Sequence, residues 1–137
     1  MKARILSALA IVLALAFPVS AQDQRPPLGQ VESLNSVLLA VGIADEIRNK
    51  CDSISGRVLK GIGILWSVVG EARDLGYSDD EINAYRTSDQ AKAALRVKGE
   101  AYLAEHGVSY DDPESFCRLG REEIATETLI GSLLRAK

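Results

Sequence analysis

Residues 112–137, DPESFCRLGREEIATETLIGSLLRAK, combine a helix start, a cysteine and an apolar face, and their reading decides the fold. Asp112 can accept from the free N–H groups of a first turn, Pro113 suits the first helical position, and Glu114 favours the positive helix end, so a helix begins at Pro113. Projected at about 100° per residue, it gathers Phe116, Leu119, Gly120, Ile124, Ile130, Gly131 and Leu134 on one side, with Cys117 and Leu133 at the margins. That side should face a core. Glu123 and Glu127 fall on or beside the same stripe one turn apart, and buried carboxylates are costly unless paired.

Cys117 leads to the other end of the chain. Lys2 and Arg4 precede an apolar run, Ile5 to Phe17, which breaks at Pro18 and reaches the small residues Val19-Ser20-Ala21, the pattern of a secretory signal peptide. The run is short for crossing about 30 Å of hydrocarbon, so residues 1–21 read as a cleaved signal with the cut after Ala21. No cysteine follows that site to carry a lipid, and the processed chain should be a periplasmic protein without a membrane span. It would hold 14 basic and 19 acidic residues, a net charge of −5. With no basic run, binding to nucleic acid or anionic lipid through bulk charge is disfavoured.

Export changes how the cysteines are read. Cys51 and Cys117 are the only two, neither lies in a C-x-x-C motif, and in an oxidising compartment each is the other's natural partner. A disulfide between them would close a loop whose chain-entropy contribution is about 4 kcal/mol. Two free buried thiols are the alternative.

Residues 22–30, QDQRPPLGQ, have the composition of a flexible leader, and residues 31–137 that of a single helical domain. From Val31 or Ser33, Leu34, Val37, Leu38, Val41, Ala44 and Ile47 recur at helical spacing, with Leu39, Ala40 and Ile43 off the stripe. This helix is apolar nearly all round and should be the central one, ending in the cations Arg48 and Lys50. Residues 57–75, RVLKGIGILWSVVGEARDL, project Val58, Leu59, Ile62, Leu65, Trp66, Val68, Val69 and Ala72 to one wide face with Lys60, Ser67, Glu71 and Asp74 opposite, which fits a helix better than a strand. A strand reading rests on the β-branched residues and on Gly61, Gly63 and Gly70, which otherwise suggest close helix packing. Gly76 stops that segment, and Ser78-Asp79-Asp80-Glu81 is a capping box. Thr87-Ser88-Asp89-Gln90 can cap again before an alanine-rich helix that Gly107 ends, although one bent helix over 79–106 is the alternative. The sum is about five helical segments and no convincing strand: an all-α, small orthogonal bundle with one disulfide.

Catalytic sets are not assembled by this sequence. His106, the single histidine, stands before a helix-stopping glycine, where it suits a carbonyl-end capping role. There is no G-x-S-x-G elbow, no phosphate-loop ending after Gly61-Ile-Gly63, no calcium-loop spacing at Asp79–Glu81, and no Glu-x-x-His helix to complete a di-metal site. Glu123 and Glu127 remain a weak candidate polar site, and Trp66, Tyr85, Tyr102 and Tyr110 read as core fillers. No catalytic, cofactor-binding or metal residue is assigned.

Leu75-Gly76-Tyr77-Ser78, Ala101-Tyr102-Leu103, Asp112-Pro113-Glu114-Ser115-Phe116-Cys117, Leu119-Gly120-Arg121, Ile130-Gly131 and Leu133-Leu134-Arg135 give the chain a further likeness. It resembles a family of short exported alphaproteobacterial proteins known only as a domain of unknown function, over essentially the whole mature domain and both cysteines. Some members carry the label of a respiratory NADH dehydrogenase subunit. A two-iron cluster needs four cysteine ligands and this chain has two, so the label would imply an accessory or assembly role rather than electron transfer. The expectation is therefore a non-enzymatic module that binds an envelope protein, for which an exposed apolar patch would be the sign. A small-ligand binder or enzyme using Glu123 and Glu127, and a periplasmic stress holdase, are the alternatives.

Overall fold

The computed structural model describes residues 24–137, so the expected signal peptide and its cleavage point lie outside the described residues. The chain is built around α1, Glu32–Lys50, which packs against α2, α4, α5 and α6 and meets α3 through Leu34 and Asn35. Its all-round apolar character explains this: Ala40, Ile43, Ala44 and Ile47 are buried in one cluster, and Leu34 in a second. After α1 come β1 (Ile54–Gly56), α2 (Val58–Asp74), α3 (Asp79–Thr87), α4 (Asp89–Glu105), α5 (Pro113–Ala125), α6 (Leu129–Ser132) and β2 (Leu134–Ala136). The larger cluster joins α1 to Ile54, Leu103, Phe116, Leu119, Ile130 and Leu134, and the smaller joins it to the C-terminal half of α2 and to α3.

Helix boundaries follow local chemistry. Asp112 caps α5 by accepting from the Glu114 N–H at 3.2 Å. Ser78 and Glu81 form the reciprocal capping box at the start of α3. Ser88 ends α3 and caps α4, accepting from the Ala91 N–H at 3.1 Å, so residues 79–105 are two helices. Gly76 and Gly107, at φ 93° and 66°, supply the left-handed residues that terminate α2 and α4.

The disulfide between Cys51 and Cys117 is formed, with Cα atoms 5.0 Å apart, and ties the end of α1 to the first turns of α5.

Three expectations are corrected. The helix opened by Pro113 does not run to the chain end: it stops at Ala125, turns, and gives way to α6 and β2. The stop is a Schellman-type closure in which the Thr128 N–H donates to the Glu123 carbonyl at 3.3 Å, with Glu127 in the left-handed region at φ 53°. Strands are present as well. β1 and β2 pair antiparallel, Ile54 opposite Ala136 and Gly56 opposite Leu134, which fastens the C-terminal residues beside the disulfide. Finally, the leader segment is not all extended. Leu28–Gln30 form a 3₁₀ turn with Leu28 buried, the Asn35 side chain donates to the Leu28 carbonyl at 2.8 Å, and Arg25 pairs with Glu81 at 3.1 Å.

Candidate interaction face and a buried carboxylate

The wide apolar face expected of α2 is only half used. The side carrying Gly61, Val68 and Ala72 faces the protein, with Val68 and Ala72 buried and Gly61 near Leu133. The opposite side stands out: Leu59 is 86% exposed, Trp66 64%, Val58 57% and Ile62 46%. Trp66 is therefore not a core residue. The packing account of the glycines holds for Gly61 alone, because a Cβ on Gly63 or Gly70 would meet nothing within 4 Å. Trp66 and Ile62 also rim a groove of 510 Å³ that continues towards α1 and α3 and is floored by Leu34, Leu38, Leu65 and Ile82. Large exposed aromatic and aliphatic side chains on one helix face are what a protein-binding surface offers before it is occupied.

Glu123 and Glu127 are not brought together. Glu127 lies in the turn after α5 and is exposed, whereas Glu123 is 3% exposed. The geometry that would have aligned them, an unbroken helix, ends two residues before Glu127. Glu123 is held by hydroxyls and not by the Arg or Lys that charge pairing would supply. Tyr102 Oη–H donates to Oε1 and Thr128 Oγ1–H donates to Oε2. Thr128 Oγ1 in turn accepts from the Gly131 N–H at 3.0 Å, so one side chain caps α6 and binds the carboxylate that ends α5. Burial, then the hydrogen bond and charge of Glu123, push the Tyr102 phenol well above its ordinary range, so it stays a donor at physiological pH.

Tyr102 is itself braced. Its ring stacks on His106 with centroids 4.1 Å apart, and His106 Nδ1–H donates to the Tyr102 carbonyl at 2.7 Å at the C-terminal end of α4. His106 thus occupies the carbonyl-end position expected of it. Arg118 reaches the same end, donating to the Gly107 carbonyl at 2.9 Å.

A general base must present a free oxygen to its substrate. Here both oxygens are engaged inside a closed contact between α4, α5 and α6, so the group acts as a polar bolt between helices. Glu123→Gln keeps its shape and one acceptor and should cost about 1 kcal/mol of stability, whereas Glu123→Ala strands two hydroxyls over a cavity and should cost about 3 kcal/mol. Urea denaturation of the two variants checks the order; equal costs would contradict it. Among the described residues no group of three or more His, Cys, Asp or Glu is placed to hold a metal ion.

The model of a family of unknown function, DUF5333, matches residues 26–135. The chain belongs to DUF5333. The match begins at Pro26, so the segment packed on the domain ahead of α1 is part of the DUF5333 unit, as are both cysteines. No curated protein and no solved structure matches the chain. No described helix of this DUF5333 protein is long and apolar enough to cross a membrane.

The exposure of one apolar side of α2 was hidden from sequence reading because an apolar stripe shows which side avoids water, not whether the chain itself covers it. The available signal was Gly63 and Gly70 interleaved with Leu59 and Trp66, a pattern of gaps and knobs on one side of a helix.

Proposed function

We propose that this DUF5333 protein is an exported, periplasmic, non-enzymatic module that acts by binding another protein of the cell envelope, with α2 as its contact face. The observation that carries this reading is the exposed set Leu59, Ile62 and Trp66 on a helix whose other side is anchored in the core. Burying side chains of this size is worth about 1.5–3 kcal/mol each, so leaving three in water is a standing cost that a partner removes. The Lys2–Ala21 pattern supports export, and the Cys51–Cys117 disulfide suits an oxidising compartment.

The test is in-cell crosslinking of the tagged protein, followed by mass spectrometry of what co-purifies from envelope fractions. A single stoichiometric partner should be captured by the native protein and lost from a Leu59→Ser/Trp66→Ser variant. A scatter of unfolded clients, or capture unaffected by those substitutions, would overturn the reading.

A further inference from the structure

The pattern on α2 is self-complementary, and we infer that a second copy of this chain covers the face by antiparallel pairing of α2 with α2 across a two-fold axis. The inference rests on the reading of α2 as a contact face and names its occupant. Leu59, Gly63, Trp66 and Gly70 fall within roughly 60° of one another on the exposed side, at about 100° per residue. A two-fold axis passing between Ile64 and Leu65 sets Leu59 of one copy against Gly70 of the other and Trp66 against Gly63. Each contact matches a large side chain to a small one, and it does so twice, as an isologous interface requires. Both glycines are open on the monomer, so each can receive a knob without displacing anything.

Charge follows the same symmetry. Lys60 and Glu71, both exposed, lie on one flank of the face, and the flanks that meet in an antiparallel helix pair are the same flank of each copy. Lys60 is directly opposite residue 69, so Glu71 of the other copy is displaced by about 3 Å along the axis, within a side chain's reach. The pair is made twice per dimer. Within one chain the two residues are eleven apart, about 16 Å along the helix, too far to pair with each other. A dimer closed in this way covers the apolar face until an envelope partner competes for it.

The processed protein, purified from the periplasm, is examined by sedimentation velocity up to about 100 μM, the range in which a modest helix-face interface is populated. It should sediment as a concentration-dependent dimer. Lys60→Glu and Glu71→Lys alone should each weaken dimerisation about tenfold or more, since two favourable pairs become two repulsions. Mixing the two variants should restore it as a heterodimer, because both cross-pairs are then of opposite sign. Gly63→Ala should also weaken dimerisation while leaving a monomer that melts no lower than the native chain. A native protein that is monomeric throughout, or charge variants that fail to rescue each other on mixing, would overturn the pairing. The contact-face reading would then stand or fall separately, by whether capture of an envelope partner depends on Leu59 and Trp66.

Discussion

Gly131→Ala is expected to cost about 3 kcal/mol or more and to abolish or severely lower cooperative unfolding. A Cβ at this position would lie 1.9 Å from the carbonyl oxygen of Glu123, 2.3 Å from its carbonyl carbon and 2.7 Å from the Ile124 nitrogen. All three are backbone atoms, so no rotamer change relieves the overlap, and α6 has to lift away from the end of α5. The movement would pull Ile130 and Leu133 out of the larger core cluster and break the Thr128 link to the Glu123 carboxylate. Gly63→Ala is the matched comparison: nothing stands within 4 Å of its Cβ, and replacing a helical glycine should raise monomer stability by about 0.5–1 kcal/mol. The same chemical change therefore has opposite signs at two positions. Urea denaturation at low protein concentration measures both, and a Gly131→Ala variant as stable as the native chain would refute the packing of α6 on α5.

Removing the disulfide should have a comparable effect. Cys51 and Cys117 are 66 residues apart in sequence, and the loop they close corresponds to about 4 kcal/mol of chain entropy in the unfolded state. A domain of this size has a total stability of about 5–15 kcal/mol. A Cys51→Ala/Cys117→Ala variant should melt about 15 °C or more below the oxidised protein. Both cysteines belong to the larger core cluster together with Ile47, Ile54 and Phe116, so the bridge also pins the α1–α5 contact and the small sheet beside it. Thermal unfolding followed by circular dichroism, with and without reductant, checks this. A reduced protein that melts within a few degrees of the oxidised one would show that the core holds the helices without the staple. On this expectation the chain would lack much of its margin in a reducing compartment.

What could be read in the sequence was whatever local chemistry encodes. Asp112-Pro113, Ser78 with Glu81, and Ser88 each announce a helix start through a side chain that accepts from nearby N–H groups, and all three lie where helices begin. Gly76 and Gly107 announce stops. The break after Ala125 escaped because its left-handed position is filled by Glu127, a residue that pays for φ 53° with no sequence signal, and because the apolar spacing continues across the turn. Three-residue strands are too short for an alternation to show, so β1 and β2 were invisible until Ile54–Gly56 and Leu134–Ala136 were seen side by side. The partners of Glu123 were hidden for another reason. Tyr102 is 21 residues away on a different helix, and hydroxyls that satisfy a buried carboxylate leave no charge pattern to find.

The candidate surface lies at the same limit. Periodicity identified the apolar side chains of α2 correctly, but the assignment of Trp66 to the core failed because the rest of the chain covers only the Val68–Ala72 side. An intramolecular reading of Gly63 and Gly70 failed for the same reason.

The most direct measurement is site-specific photocrosslinking in living cells, with benzoylphenylalanine replacing Trp66 on the exposed face of α2 and, as a control, exposed Glu122 on α5. The predicted result is a discrete adduct from position 66, to a second copy or to an envelope protein, and none from position 122. The absence of any adduct at 66, or the same adducts from both positions, would contradict the assignment of α2 as the contact face.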